Sequence, residues 1–195
     1  MKKRACPERS RRGFTLIELL VVIAIIGILT SIGLGTFTSA QRKSRDARRK
    51  NDLATIAKAL EVYYNDHYST YPYPAANAAG QIIGCTVDSA VEAVCNWGSA
   101  FQHADTTPDT VYLIALPDDP STGQDYYYEA LPYGTIATGA YQLYARLENT
   151  ADPAVPKDVD GNPQNYGISC GAGNCNYGIS SANTTPATGR TLATE

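Results

Sequence analysis

Arg11-Arg12-Gly13-Phe14-Thr15-Leu16-Ile17-Glu18, followed by the apolar run from Leu19 to Phe37, decides how this chain folds. Between Leu19 and Phe37 no residue is charged, and the polar ones are Thr30, Ser31 and Thr36. At about 1.5 Å of rise per helical residue the run reaches roughly 28 Å, close to the hydrocarbon thickness of a bilayer. It is long enough to span a membrane. A secretory signal has a shorter apolar core that ends in small residues at a cut site. This run instead continues into a charged helical pattern, so cleavage after it is not expected.

Glu18 sits at the edge of that run. A carboxylate costs on the order of 2.5–3.5 kcal/mol at mid-bilayer and less near the interface, so it needs a partner. Two arrangements supply one. If the chain is cut between Gly13 and Phe14, a new α-amine appears one helical turn before Glu18, at a helix end that itself favours an anion. The amine of a neighbouring copy would serve equally. Otherwise the side chain snorkels to the interface and meets water.

The stretch from Gly13 through Glu18 to Leu29 resembles the N-terminal signature of type IV pilins and of the pseudopilins of type II secretion. The resemblance covers the first quarter of the chain. It implies a prepilin peptidase that cuts after Gly13 and methylates the Phe14 amine, with Glu18 as the charge that docks an incoming subunit. It implies as partners other copies of the chain, related pilin and pseudopilin subunits, and a secretion or pilus assembly platform. It also implies a single pass through the bacterial inner membrane, N-terminus cytoplasmic and head extracytoplasmic, followed by transfer into a filament. Where that family commonly carries a helix-breaking proline this chain has Gly35, with Gly33 nearby. Glycine weakens a helix by roughly 1 kcal/mol without removing a donor, so local melting is less imposed.

The expected fold is α+β, a long N-terminal helix packed on a small antiparallel sheet. Its divisions are a cleaved leader (1–13), a membrane and assembly helix (14–37), an amphipathic continuation (38–66), a head (67–151), and C-terminal loops with a mobile tail (152–195). The net charge of −3 conceals a strong asymmetry. Six basic residues lie in 2–12 and six more in 42–50, namely Arg42, Lys43, Arg45, Arg48, Arg49 and Lys50. From Asn51 onward four basic residues face sixteen acidic ones, which argues against nucleic-acid binding over the general surface of the body. Because positive charge flanks the apolar run on both sides, topology rests on the resemblance.

From Thr38 to about Tyr64 no proline intervenes, and Ala40, Ala47, Leu53, Ile56, Ala57, Leu60 and Tyr64 recur near one face. The basic cluster at 42–50 reads as a solvated face, then as a contact to anionic lipid or to acidic protein surfaces, and last as a contact to DNA during uptake. Residues 68–108 read mainly as loop, with a short helix suggested by the capping box Ser89-Ala90-Val91-Glu92 ahead of Val94, Cys95 and Trp97. The period then changes to two. Val111–Leu116, Tyr126–Glu129 and Tyr141–Leu147 are β-rich runs parted by Pro, Asp and Gly turns, as in a meander. One face of such a sheet would cover Leu53, Ile56 and Leu60, since neither element buries its apolar side alone.

With Cys6 in the leader, Cys85, Cys95, Cys170 and Cys175 remain as an even set. An extracytoplasmic head permits disulfides among them, in any of three connectivities. Cys85 with Cys95 is one reasonable pair, and Cys170 with Cys175 would close a small loop. Leu116-Pro117-Asp118-Asp119-Pro120 with Tyr126-Tyr127-Tyr128 is similar to a pattern of the major pseudopilin of type II secretion, although a Pro-Asp turn between strands accounts for the same residues. That similarity implies calcium in the C-terminal loops. Asp158, Asp160 and Asn162 offer alternate oxygen ligands, without the later acidic ligand of an EF-hand.

An enzyme has little support here. His67 and His103 stand in different settings with no nucleophile motif beside them, and there is neither a phosphate loop nor a Cys-x-x-Cys pair. The resemblance at Gly13 to Leu29 implies a structural subunit polymerised through its N-terminal helix, most simply a type II secretion pseudopilin. The alternatives are an adhesive or DNA-uptake type IV pilin and a membrane-tethered binding module that does not polymerise.

Overall fold

The fold is taken from a computed structural model that describes residues 13–75, 80–83, 93–103 and 110–194, with the backbone alone for 32–36 and 103. The chain divides into two compact units between Gln41 and Arg42. Helix α1, Leu16–Asp66, runs through both stretches of sequence expected to be helical, and Gly33 and Gly35 do not interrupt it. In the first unit the apolar side chains from Phe14 to Leu29 face solvent, with Ile17 and Ile23 more than half exposed. Among the described residues no helix is long and apolar enough to cross a membrane. The expected span from Leu19 to Phe37 includes residues 32–36, whose side chains lie outside the described set.

In the second unit Leu53, Ile56 and Leu60 are fully buried, as the helical period predicts, and Ala59 and Tyr63 extend the same stripe. Ala40 and Ala47, expected on that face, are exposed. The stripe packs against Tyr128, Tyr141, Leu143 and Ala145, together with Ile82, Phe101 and Leu116. Leu116 lies in a loop; the others come from a three-stranded antiparallel sheet in the order β5–β6–β8, comprising β5 (Tyr127–Tyr133), β6 (Ile136–Ala145) and β8 (Tyr177–Ser180), and from the smaller pairs beside it.

Three expectations about the strands need correction. The run beginning at Val111 forms β4 (Thr110–Leu113) but does not join the main sheet; it pairs with β3 (Phe101–His103) from the stretch expected to be loop. Its place in the main sheet is taken by β8, from the region read as C-terminal loops, with Leu143 opposite Ile179 and Tyr144 opposite Gly178. Gly178 lies so close to Tyr144 that a Cβ there would meet the ring at 2.8 Å, so a glycine that weakens the strand signal is what admits the strand. Val94–Cys95 is strand β2, paired with β1 (Ile82–Ile83), rather than part of a short helix. Ser89 to Glu92 lie outside the described residues.

Strand β6 is buried on both faces. Tyr141, Leu143 and Ala145 turn to α1, while Gln142 and Tyr144 turn to the chain after β8. Gln142 Nε2 donates to the carbonyls of Thr185 (2.6 Å) and Thr188 (3.0 Å), and the Tyr144 hydroxyl donates to Pro186 O at 2.7 Å. Arg190 pairs with Glu129, and β9 (Ala193–Thr194) pairs with β7 (Gln164–Asn165). The segment expected as a mobile tail is thus strapped across the sheet. Its composition has few large apolar side chains, so its anchoring relies on backbone carbonyls that no hydropathy pattern reports.

Candidate assembly site and buried ion cage

The N-terminal end of α1 is closed by Thr15 and Glu18. Thr15 Oγ1 accepts from the Glu18 N–H at 3.3 Å, and the Thr15 N–H and hydroxyl both donate to Glu18 Oε2, at 2.8 and 2.6 Å. This is a capping box, two otherwise unsatisfied donors of the first turn being met reciprocally. Gly13 has open space around its Cα, and Phe14 is 82% exposed. Gly13 and Phe14, expected at the processing junction, and Glu18, expected in assembly, lie at an accessible helix start beside a long exposed apolar surface. That arrangement can present a scissile bond, a carboxylate and a packing face at once.

The basic cluster is divided: Arg42, Lys43 and Arg48 are exposed, as a solvated face would be, whereas Arg45, Arg49 and Lys50 turn to carboxylates of the head. Arg49 is fully buried and bonded on every side of its guanidinium. Its Nε and Nη2 donate to Asp119 at 2.7 and 2.9 Å, Nη2 also donates to Ser121 Oγ at 2.7 Å, and Nη1 donates to Asp46 at 2.8 Å. Glu148 lies 3.0 Å from Nη1 and takes a second cation, Arg45, through its Nε at 2.7 Å. Asp46 also accepts the backbone N–H groups of Glu148 and Asn149, each at 2.9 Å. Lys50 pairs with Asp152 at 2.7 Å, and the Tyr126 hydroxyl donates to Asp52 at 2.8 Å.

These contacts set the electrostatics. Burial pulls the Arg49 guanidinium down, but the hydrogen bonds and charges of Asp119, Glu148 and Asp46 outweigh it and hold the group above its ordinary range. The Arg45 hydrogen bond, opposed by burial and helped by Arg49, lowers the Glu148 carboxyl from the usual 4.5 to about 2. Burial first, and then the bond to Asp52, raises the Tyr126 hydroxyl well above the ordinary tyrosine value. The cage joins α1 to two loops, one before β5 and one after β6.

Cys170 and Cys175 form a disulfide, with Cα atoms 5.2 Å apart, in a small cluster with Tyr144 and Tyr166. Cys95 is also disulfide-bonded, whereas Cys85 lies outside the described residues. Asp158, Asp160 and Asn162 do not fit a calcium ion as they stand. Asp158 Oδ1 accepts the N–H groups of Asp160 (3.0 Å) and Asn162 (2.8 Å), and Oδ2 accepts Asn162 Nδ2 at 3.0 Å. The carboxylate closes its own turn, and Asn162 turns a donor rather than an oxygen toward it. A site offering six to eight oxygens is not formed. Among the described residues no group of three or more His, Cys, Asp or Glu side chains could hold a metal.

The sequence reading named Arg49 in the basic cluster and Asp119 in the Leu-Pro-Asp-Asp-Pro run without joining them, and it did not name Asp46 or Glu148; the i,i+3 spacing of Asp46 and Arg49 was the local signal for that pair. Asp119 and Glu148 are 70 and more residues away along the chain, and no period links them to Arg49.

Residues 9–34 match the family described as the prokaryotic N-terminal methylation motif. Together with a long N-terminal helix and small antiparallel sheets, this defines a protein of the pilin and pseudopilin class. The chain is 33% identical over 116 residues to type II secretion system core protein G of Klebsiella pneumoniae, covering 60% of this chain and 72% of that protein. It is 29% identical to core protein G of Pseudomonas aeruginosa over 153 residues, 78% of this chain and 94% of that one. To the type IV major pilin PilA of Myxococcus xanthus it is 40% identical over 62 residues, 31% of this chain and 28% of that one. The chain belongs to the type II secretion system core protein G family, the major pseudopilins. No solved structure matches it significantly.

Proposed function

We propose that this chain is a structural subunit of a type II protein secretion filament, stored in the plasma membrane and polymerised through its N-terminal helix. The observation that carries the reading is the core protein G relationship across 72% of the Klebsiella pneumoniae protein, joined to a methylation motif that contains Gly13, Phe14 and Glu18. A prepilin peptidase cuts between Gly13 and Phe14 and methylates the new amine. The N-terminus stays cytoplasmic and the head lies outside. An assembly platform then draws subunits into the filament, where the exposed Leu, Ile and Val of α1 pack side by side and leave lipid and water alike.

In that filament the Phe14 amine of one copy, or of the same copy, meets the Glu18 carboxylate and fixes axial register, because an unpaired buried charge is costly. Thr15 holds the same carboxylate before assembly, so Glu18 need not enter the apolar phase without a partner. Core protein G of Pseudomonas aeruginosa aligns over 153 residues against 62 for the Myxococcus xanthus pilin, which favours the secretion filament over an adhesive pilus.

The deciding experiment is the intact mass and N-terminal fragment spectrum of the chain recovered from membranes that contain a prepilin peptidase. The expected species begins at methylated Phe14. A chain that still begins at Met1 would remove the proposed partner of Glu18 and favour a tethered module.

A further inference from the structure

We infer that the Cys170–Cys175 disulfide loop, rather than a bound calcium ion, is the lock that holds both acidic arms of the Arg49 cage in place. The loop touches each arm. On one side it meets the turn that follows Asp119: the Asp125 N–H donates to Cys170 O at 3.3 Å, Gln124 bridges Gly171, and Ser121 in the same turn donates its N–H to Asp119 at 2.8 Å. The approach at Gly171 is so close that an added Cβ would lie 2.2 Å from Gly123 O, and its φ of +82° suits glycine alone.

On the other side Asn176, next to Cys175, clamps the segment that presents Glu148. Leu147 N–H donates to Asn176 Oδ1 at 2.7 Å and Asn176 Nδ2 donates to Leu147 O at 3.1 Å. The loop is closed internally as well, by Cys170 N–H on Gly173 O and Cys175 N–H on Ile168 O, each at 2.8 Å. The calcium-like run from Asp158 to Asn162 uses the Asp158 carboxylate to close its own turn. Ring closure through sulfur narrows the unfolded ensemble and needs no ion.

The lock forms when the Cys170 and Cys175 thiols give two electrons and two protons to the disulfide of a thiol–disulfide oxidant. One S–S bond forms here, one breaks in the oxidant, and the oxidant leaves as a dithiol. The cage is then completed only where such an oxidant is present, on the extracytoplasmic side of the membrane.

The test uses the full oxidised chain in detergent, with calcium chloride and EDTA as metal probes and with thermal unfolding and amide hydrogen exchange as readouts. The melting temperature and the exchange pattern are expected to be the same with calcium and with EDTA. In the Cys170→Ser/Cys175→Ser variant, melting is expected to fall by about 5 °C. Exchange at Ser121, Gln124 and Asp125 is expected to rise by about tenfold or more, while Tyr128 to Tyr144 keep their protection. A rise in melting temperature with calcium, or unchanged exchange at 121–125, overturns the proposal. Should that variant fail to fold, Gly171→Ala retains both cysteines yet must push the 123–124 turn away. Faster exchange at Ser121 with the disulfide intact is then expected, and unchanged exchange there overturns the coupling.

Discussion

Arg49 on α1 and Asp119 in the Pro-Asp-Asp-Pro turn form a two-point ion pair, Nε to Oδ2 at 2.7 Å and Nη2 to Oδ1 at 2.9 Å, with both side chains essentially closed to water. Such a pair fixes direction as well as distance, because the planar guanidinium accepts only one orientation of the carboxylate. With Asp46 and Glu148 completing the cage, it sets how the second half of α1 lies against its own head.

Replacing Arg49 with Met leaves three carboxylates around an apolar side chain. The expected loss of head stability is about 3–5 kcal/mol, the range for removing one member of a buried ion pair. Arg49→Lys recovers only part of it, since an ammonium cannot serve Asp119 at two points. Urea midpoints of the three proteins measure this directly.

The pH dependence follows from Glu148. Its folded value of about 2 lies below the ordinary 4.5, so its contribution is fully present above about 4.5 and is lost as the pH falls from there toward 2. Denaturant midpoints of the wild-type chain should therefore drop across that acid window. Glu148→Gln should start lower and show a shallower slope, and an equal slope in the two proteins would contradict the assignment.

Glu18→Ala should abolish or sharply reduce filament yield while membrane insertion persists, because the apolar run is untouched. Thr15→Ala should cost about 1 kcal/mol at the helix start, through the lost cap, and should slow assembly without stopping processing. Pelleted filament and membrane-fraction immunoblots separate the two effects; normal filament from Glu18→Ala would sink the docking role.

Truncation after Ser180 should be damaging rather than silent. It uncovers Gln142 and Tyr144 and removes the Arg190–Glu129 pair together with β9. The expected outcome is a lowered melting temperature and a tendency to aggregate through the newly bare face of β6, read by scanning calorimetry and light scattering.

The parts legible in advance are set by residues near one another in sequence. The apolar run that begins at Leu19 is legible by its length, while the stripe of Leu53, Ile56 and Leu60 and the alternation of Tyr141 to Ala145 are periodic, and period reports which side of an element is apolar. Strand β8 was missed because Tyr177-Gly178-Ile179-Ser180 carries too little apolar weight to stand out, yet Gly178 is what lets it lie on Tyr144. The tail was missed because its bonds run from the side chains of Gln142 and Tyr144 to carbonyls that every residue possesses.

The sequence alone determined the N-terminal chemistry: the Gly13-Phe14 junction, Glu18 one turn on, the apolar run behind it, and the helix-plus-sheet class of the head. Those features are local or periodic, and local physics suffices to read them. Only the tertiary structure decided that Arg49 is an interior residue, that Asp119 and Glu148 meet it, and that the C-terminal segment roofs the sheet. A buried charge is tolerated only where distant partners converge on it, and convergence is a property of the folded chain rather than of any stretch along it.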